Sequence, residues 1–490
     1  MAKNDSFKIL LTRPPAGKMD DSFSRKHVFP PLGLAYLAAY IEDTDFVVKI
    51  MDPFVEGWTF TQTQEKINAF EPDLVGISFT TENRFEAFQM AKVAKKAAPN
   101  AVVVAGGPHP SLTVMDTLTN IPEIDIIVIG EGEVTFRKLC ETLDTKGDLS
   151  KVNGIAFRKD GKIKVNERGS YVKNINKLSR PARHLLPMNK YSGLLDLDDR
   201  QVPAESIMTS RGCPIGCYFC ATTKMSGGVF RARSAKNVFD EIKFIVDTYG
   251  RKNFWFFDDA FTWDLDRVVD ICDRIINAKL NINWVCQSRV DVLTKELLQK
   301  MSDAGCVQLR FGVESGSQEI VDKVVRKKIT LDKVEQVSRW CEEVGIQAHA
   351  SFIVSHDGET YVDARKTMTL MKKLEKIGTR TSYMILKIYP GTLVALLARK
   401  KNIVPPDFTW TKHYDAGAIH KMPFLLGNVP YYQDKLTLNQ ITSLVLEWAE
   451  MRKIVMWKRI PSILLSLRDI NDVRNVFSIG KSYVRNKLRF

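Results

Sequence analysis

The sequence predicts an α/β protein: an N-terminal doubly wound (Rossmann-like) domain, then a partial (β/α)6 barrel of the TIM type, then a helical C-terminal region. Two observations predict this class. Short apolar, β-branched runs alternate with helical segments in two long stretches of the 490 residues, and one irregular stretch separates them. Continuous apolar strands between helices are typical of parallel sheets covered on both faces. A chain of this length also exceeds one ordinary core, so we expect several domains.

The first domain is predicted for residues 6–143. Its strand candidates are FKILL, VVKIMD, DLVGISF, AVVVAGG and IDIIVIG, and helical segments such as PLGLAYLAAYIED and RFEAFQMAKVAKKA lie between them. In a doubly wound sheet, ligands bind at the carboxyl ends of the strands. The segments TRPPAG, SFTTEN, GGPHPS and GEGE stand at those ends.

Residues 144–200 are predicted to form a hairpin and a connector. NGIAFRKDGKIKVNE contains two alternating runs around Asp160-Gly161, which is a hairpin signal. The barrel is predicted for residues 201–400, with strands SIMTS, NFWFFDD, INWVCQSR, VQLRFGVES, QAHASFIVS and SYMILKIYP. Residues 401–490 are predicted to form a helical, basic C-terminal region.

Three of the eight cysteines lie within eight positions, in SRGCPIGCYFCAT. Cys213, Cys217 and Cys220 follow the first barrel strand, at the end where barrels carry their chemistry. Three thiolates can hold three irons of a 4Fe-4S cluster and leave the fourth iron open to a substrate. The alternative is a zinc knuckle completed by a distant fourth ligand. The other five cysteines are predicted to pack in the core.

The C-x3-C-x2-C spacing, with Phe219 before the last cysteine, resembles the signature of the radical S-adenosylmethionine (radical SAM) enzymes. The resemblance implies a 4Fe-4S cluster that chelates S-adenosylmethionine and cleaves it to a 5′-deoxyadenosyl radical. It also implies cofactor-binding residues near the ends of the strands: Phe219, Asp258, Asp259, Arg289, Glu314 and Ser315. One departure is VSHDGET, where relatives carry a Gly-rich turn; we expect His356 and Asp357 to belong to a variant turn.

The first domain resembles the cobalamin-binding domain of one large radical SAM subfamily, in PPLGLAYLAAYIE, PDLVGIS, VVVAGGPH and IDIIVIGEGE. The resemblance implies cobalamin contacts from Arg13, Pro14, Ser78, Thr80, Gly106, Gly107, Gly130 and Glu131. Many cobalamin-binding domains carry a D-x-H-x-x-G sequence whose histidine binds cobalt from below, but the first loop of this chain has no histidine. In MDPFVEG, Phe54 stands at the position where a histidine would be needed. We therefore expect cobalt without a His lower ligand, with Arg13 or water below it. Some relatives have lost cobalamin. His109 is predicted to stabilise its loop.

The leading functional prediction is a cobalamin-dependent radical SAM methyltransferase that methylates an unactivated carbon of a hydrophobic or natural-product substrate. The catalytic residues that act on the substrate are not assigned. A second hypothesis is a radical cyclase or oxidase without methyl transfer, similar to the porphyrin-ester cyclases or lipid-cyclising relatives. A third, from another class, is a non-catalytic iron–sulfur redox sensor. The substrate could be lipid-like or a tetrapyrrole, and flavodoxin or ferredoxin is the expected electron donor.

The positive charge is concentrated at the C-terminus, where ten Lys or Arg oppose two Asp from residue 451 onward. Apolar residues lie between the charges, and such a segment can rest on an anionic membrane surface. A solvated capping helix is the other interpretation. No nucleic-acid motif accompanies the charge, and no apolar run reaches membrane-spanning length. The N-terminus lacks a signal-peptide stretch and the cysteines are not a disulfide framework, so we expect a cytoplasmic, reducing location.

Overall fold

The computed structural model describes residues 6–16, 28–197, 200–413 and 429–451. They form two seven-stranded sheets, each with helices packed against it. The predicted α/β class is confirmed by this architecture. The basic C-terminal segment, for which membrane contact and a solvated capping helix are the two interpretations, falls almost wholly outside the described residues. Within them, no helix combines the length and the apolar character needed to cross a membrane.

The first sheet contains β1 to β7 in the order 2-1-3-4-5-6-7. Its strands are β1 Lys8–Thr12, β2 Val47–Met51, β3 Leu74–Ser78, β4 Val102–Gly106, β5 Ile126–Val128, β6 Ile155–Lys159 and β7 Lys162–Val165. The first five are parallel, and the strand order reverses at β1, which places a ligand site at the carboxyl edge beside β1 and β3.

Helices cover both faces of this sheet, because successive apolar residues of each strand point in opposite directions. Ile9 and Leu11 of β1 pack in one core cluster, whereas Leu10 packs in the other. The helices of this domain are α1 Leu32–Ile41, α2 Pro53–Glu56, α3 Phe60–Phe70, α4 Arg84–Ala97, α5 Pro108–Leu112, α6 Val114–Asn120 and α7 Glu133–Asp144.

The hairpin predicted around Asp160-Gly161 is confirmed, but it belongs to the first sheet and not to a separate connector. Strand β6 pairs antiparallel with β5, and β7 pairs with β6. The sheet therefore continues to Val165, beyond the boundary predicted at residue 143. Alternation within the hairpin predicted the turn, but the pairing of β6 with β5 is a long-range contact that no local pattern reveals.

The second sheet is the predicted partial barrel, in the order 16-15-14-13-12-9-8. Six parallel strands follow one another: β9 Arg200–Ile207, β12 Asn253–Phe256, β13 Asn283–Ser288, β14 Cys306–Glu314, β15 Gln347–Val354 and β16 Arg380–Ile385. Strand β8 Gly193–Leu197 adds antiparallel to β9. A short antiparallel pair, β10 Ser210–Arg211 and β11 Arg231–Ala232, lies outside the sheet.

The remaining helices are α8 Thr222–Ser226, α9 Ala235–Tyr249, α10 Leu265–Asn277, α11 Lys295–Asp303, α12 Leu331–Glu343, α13 Tyr361–Lys376, α14 Leu393–Lys400 and α15 Leu438–Met451. Helices α9 to α13 cover the barrel around one large apolar core. The five cysteines predicted to pack internally are buried: Cys140, Cys272, Cys286, Cys306 and Cys341. That prediction is confirmed.

A buried ion cluster fastens the connector to the barrel. Arg183 donates to Glu241 at 2.6 Å and to the carbonyl of Ser206 at 2.8 Å, and Arg233 binds the other oxygen of Glu241. Burial opposes ionisation of Glu241, but the two arginines hold its pKa below the usual range. Removing one member of such a cluster leaves a buried charge without its partner.

We therefore expect Glu241→Gln to lower the free energy of unfolding by about 3 kcal/mol, because Arg233 loses its ionised partner and Arg183 keeps only the longer pair with Glu205, at 3.5 Å. Because the pKa of Glu241 is depressed, its contribution is complete at neutral pH and is lost only as the pH falls through that pKa. Thermal unfolding at pH 7 measures the change as a lower Tm. The matched control is Asp240→Asn on the same helix, whose carboxylate forms an exposed pair with Lys236. Equal Tm values for the two variants would contradict a structural role for this cluster.

Candidate active site

The cysteine loop is a closed excursion between two paired strands. Strand β10 precedes it and β11 follows it, and the two pair antiparallel. Cys213, Cys217 and Cys220 are partly exposed on this loop, and the Cys220 N–H donates to the Cys217 carbonyl at 3.0 Å. Gly212 enters the loop at φ 85°, where a Cβ would lie 2.3 Å from the Val229 carbonyl oxygen. The two ends of the loop are thus in direct contact.

Two consecutive carboxylates at the end of β12 clamp this loop. Asp258 accepts hydrogen bonds from the backbone and hydroxyl of Thr209 and from the hydroxyl of Ser210. Asp259 accepts from the Gly212 N–H and the Thr222 hydroxyl, both at 3.1 Å. Burial raises the pKa of Asp259. Both residues therefore position the loop, and their direct contact with S-adenosylmethionine stays a prediction.

The three thiols fit an iron–sulfur cluster. They lie within eight positions on one loop, partly exposed, so each can bind a different iron of a cluster. Burial raises the pKa of Cys217 to about 11 against the opposing charge of Lys327. The free thiol is thus protonated at neutral pH, and metal binding must displace its proton.

An internal hydrogen-bond chain connects the cysteine loop to the ends of β14 and β15. The Tyr218 hydroxyl lies 2.9 Å from His356 Nδ1, and His356 Nε2 lies 3.3 Å from the Glu314 carbonyl. The Asp357 N–H reaches the Tyr218 hydroxyl oxygen at 3.3 Å. Burial lowers the pKa of His356 to about 4, so the ring is neutral. A tautomer protonated at Nε2 satisfies every member of the chain.

The turn predicted in VSHDGET is confirmed at Asp357-Gly358. Its His356 does more than turn the chain, because it is 1% exposed and is hydrogen-bonded through both ring nitrogens. Asp357 accepts hydrogen bonds from Lys401 and Tyr432, beyond the barrel. Sequence reasoning missed this connection because its members are far apart in the chain. The unusual His in place of a Gly-rich turn was the only local signal.

Arg289 and Glu314, predicted at the ends of β13 and β14, both contact Lys327, a residue that the sequence analysis did not single out. Lys327 binds the Glu314 carboxylate at 2.5 Å, and its carbonyl accepts from Arg289 at 3.0 Å. Arg289 is 6% exposed, and its Nε has no hydrogen-bond partner among the described residues. Ser315 is fully buried and binds the Ser317 N–H. Arg289 also binds Asp291 at 2.9 Å, so each of the two cations has a carboxylate partner, and the orphaned Nε of Arg289 is the group that remains for an anion such as the carboxylate of S-adenosylmethionine.

Phe219 lies on the cysteine loop, whereas the glycines predicted to contact cobalamin lie at the carboxyl edge of the first sheet. Phe219 packs beside the ring of His356, with centroids 6.4 Å apart. At the carboxyl edge of the first sheet, a Cβ placed on Gly106 or Gly130 would meet no atom within 4 Å. A large ligand can therefore approach the backbone there, which fits a corrin ring. Gly107 lies instead against Phe79 and Ser78 at φ 93°.

Other residues at this edge are already engaged. Arg13 forms a bidentate pair with Asp52, at 2.7 and 2.6 Å, and its guanidinium lies 5.0 Å from the Phe54 ring centroid. Pro14 is buried, and Thr80 bonds the Asn83 side chain. The contact of these residues with cobalamin stays a prediction, and the pair with Asp52 engages Nε and Nη2 of Arg13.

His109 is fully buried and its Nδ1 lies 3.0 Å from the Thr81 hydroxyl, which agrees with the predicted loop-stabilising role. Rings of Phe79, Phe88 and Trp410 surround it. Burial and the charge of Arg84 lower the pKa of His109 to about 3.

Glu131 joins the two sheets. Both of its carboxylate oxygens bind Arg231, and the neighbouring Glu133 binds Arg211 at 2.6 Å. The two arginines belong to β10 and β11, which close the cysteine loop. We define these four residues as the interdomain ion cluster. It places the carboxyl edge of the first sheet against the cysteine loop, and Glu131 is occupied by this task; its predicted contact with cobalamin stays a prediction.

Comparisons with known proteins agree with this division of the chain. A family model of the B12 binding domain matches residues 22–140, and one of the radical SAM superfamily matches residues 207–371. The chain is 34% identical over 418 residues to an uncharacterized methyltransferase, PH0819 of Pyrococcus horikoshii, covering 85% of this chain and 88% of that protein. It is 29% identical over 351 residues to the anaerobic magnesium-protoporphyrin IX monomethyl ester cyclase of Rubrivivax gelatinosus, covering 70% and 62%.

Solved structures share the fold. The cobalamin-dependent S-adenosylmethionine radical enzyme OxsB, with aqua-cobalamin and S-adenosylmethionine bound, superposes with a TM-score of 0.72 at 18% identity, over 98% of this chain and 71% of OxsB. The radical S-adenosylmethionine methyltransferase TsrM of Kitasatospora setae, with cobalamin and a [4Fe-4S] cluster bound, gives 0.67 at 18% identity, over 81% and 75%.

The assignment of the cysteines predicts that Cys217→Ala abolishes cluster assembly, because one iron loses its protein ligand. Iron and sulfide content after anaerobic reconstitution, and the electron paramagnetic resonance signal after reduction, measure the loss. Cys341→Ala is the matched control, since that cysteine is buried among apolar side chains of the barrel. Full iron content in Cys217→Ala would show that this cysteine is not a ligand.

The chain through Tyr218 predicts that Tyr218→Phe leaves a cluster that assembles but is held less firmly, because buried His356 Nδ1 loses its donor. A lost buried hydrogen bond of about 1.4 kcal/mol corresponds to about tenfold faster loss of cluster absorbance to a chelator. Tyr249→Phe is the control. Wild-type kinetics in Tyr218→Phe would mean that this hydrogen bond does not restrain the loop.

Proposed function

The chain belongs to the radical SAM enzymes that carry a B12-binding domain, and from this membership we propose that it methylates an unactivated carbon of a small molecule. When bound, the 4Fe-4S cluster and S-adenosylmethionine supply a hydrogen-abstracting radical, and cobalamin supplies a transferable methyl group. The protein's part is to hold these groups and the substrate in line and to keep water away from them.

The observation that carries the proposal is the interdomain ion cluster. Glu131 directly follows Gly130, whose backbone is open to a ligand at the edge of the first sheet. Through Arg231 and Arg211, the same segment is fastened to the strands that close the cysteine loop. A ligand on the first sheet and a cluster on the second must therefore be neighbours, as transfer between the two requires.

The roles of the barrel residues follow from their contacts. The three cysteines would hold the cluster, and Asp258 and Asp259 keep their loop in place. Arg289 and Lys327 offer positive charge beside the loop, since both act electrostatically on its thiols. We assign them the carboxylate of S-adenosylmethionine. At the first sheet, the open backbone at Gly106 and Gly130 would face cobalamin.

A radical cyclase or oxidase without methyl transfer is the second candidate, favoured by the 29% identity to the Rubrivivax gelatinosus cyclase. The same cluster loop would serve it. A redox sensor has less support, because a sensor does not need the buried Arg289 with its orphaned Nε beside the loop. We further propose a flavodoxin or ferredoxin as electron donor, a cytoplasmic, reducing location, and peripheral membrane contact through residues 451–490.

The test of the proposal is an assay on anaerobically reconstituted protein with cobalamin, dithionite and S-adenosylmethionine carrying a deuterated methyl group. We expect 5′-deoxyadenosine, retained corrinoid and, with substrate extracts, a product that carries the deuterated methyl. Formation of 5′-deoxyadenosine without retained corrinoid would contradict methyl transfer and favour the cyclase or oxidase. Neither signal in fully cluster-loaded protein would contradict both enzymatic proposals.

The open cradle at Gly106 predicts a graded pair of variants. Gly106→Ala should retain corrinoid, because its Cβ meets no protein atom, whereas Gly106→Leu should fill the cradle and lose it. Corrinoid absorbance after gel filtration measures retention, and iron content serves as the control for the second sheet. Equal retention by both variants would show that the ligand does not approach this backbone.

A further inference from the structure

A groove of about 390 Å³ lies beside the cysteine loop and contacts both domains. Leu112 of the first domain forms one wall, at the end of α5, which follows β4 at the carboxyl edge. Lys224 of α8, shortly after Cys220, contributes a second side. The rest comes from the segment after β16, from α14 and from Phe408 and Trp410. The volume is in the range of small-molecule sites.

The walls of the groove are mainly apolar, and the leucines that helix α14 contributes to them are exposed to solvent. Leu396 is 66% exposed and Leu393 is 39% exposed. Two large leucines on one helix face, continuous with Pro390 and Val404, form an apolar surface with a concave shape. Contiguous exposed apolar surface of this kind indicates a binding site more often than isolated exposed leucines do.

Among the described residues, the only charged side chains in the lining are cationic. Lys224 and Arg399 line the groove, and no described Asp or Glu does so. Within the described part of the chain, Lys224 has no ion pair or side-chain hydrogen bond. Arg399 forms one long hydrogen bond, at 3.4 Å, to the Phe408 carbonyl, and its guanidinium lies 5.8 Å from the Phe408 ring centroid. It forms no ion pair with a described residue. Two cations without acidic partners beside apolar walls are complementary to an anion attached to an apolar body.

We propose that this groove binds an amphiphilic molecule with a phosphate head and an aliphatic body, as the substrate or its recognition portion. A phosphate monoester is favoured because its charge of about −1.5 to −2 is balanced by two cations. The inference rests on the proposed function in that it names the substrate class for the same site. The groove contacts the first domain at Leu112 and the cysteine loop at Lys224, and the rest of its lining belongs to residues 388–410.

Isothermal titration calorimetry of the full-length, cluster-loaded protein with dodecyl phosphate below its critical micelle concentration tests the proposal. We expect saturable binding at one site, weaker binding of dodecanoate, and none of dodecyltrimethylammonium or inorganic phosphate. Lys224→Gln and Arg399→Glu should each weaken dodecyl phosphate binding about tenfold, as for a charge-assisted hydrogen bond. Leu396→Asp should weaken it as well, without a folding penalty, because Leu396 is exposed.

Lys400→Glu is the matched control, because Lys400 is the exposed neighbour of Arg399 on α14 but does not line the groove. Absence of saturable binding, or equal weakening by Lys400→Glu, overturns the proposal. Binding to phosphatidylglycerol vesicles that Leu396→Asp weakens, without binding of monomeric dodecyl phosphate, also overturns it, since the groove surface would then contact membranes. Formation of 5′-deoxyadenosine is measured separately: 5′-deoxyadenosine without amphiphile binding rejects only the groove assignment, and amphiphile binding without 5′-deoxyadenosine rejects only the enzymatic proposal.

Discussion

The pairing of two glutamates of the first domain with two arginines of the second is the interaction on which the active-site geometry depends. Buried ion pairs add little net stability, because desolvation offsets much of their attraction. Their geometry is restrictive, however, and here it restricts the position of the edge of the first sheet relative to the cysteine loop. Glu131 and Glu133 follow a strand of the first sheet directly, and Arg211 and Arg231 close the cysteine loop. The cluster thus sets the distance between two cofactor regions.

The cysteine loop itself has little regular structure and is held from several directions. Asp258 and Asp259 bind its two ends, and Tyr218 inside it is bound to His356. These contacts come from different strand ends of one sheet. A parallel barrel places such ends in one ring, so that residues far apart in the chain can act on one loop. A rigid sheet therefore positions a loop that could not hold three ligands by its own conformation.

The sequence was sufficient for the elements and for the location of the site, and insufficient for the contacts between distant segments. The β-branched runs predicted the parallel strands, because burial on both faces leaves a continuous apolar signal. The cysteine spacing located the site. The ion pairs of Lys327 with Glu314 and of Glu131 with Arg231 were missed, since a pair between distant residues leaves no trace in the local sequence pattern. The hairpin after β5 was recognised, but its place in the first sheet depends on a long-range pairing.

The hydrogen-bond chain from Tyr218 through His356 and Asp357 to Lys401 and Tyr432 also bears on the order of events during synthesis. The three cysteines emerge from the ribosome in the middle of the chain, whereas their supports emerge much later. Domains fold largely from the N-terminus as they appear, so the first domain is complete when the cysteines arrive. The loop is fully supported only after residue 432 has emerged. Cluster insertion into a fully supported loop therefore comes after the emergence of residue 432 and not directly after that of the cysteines.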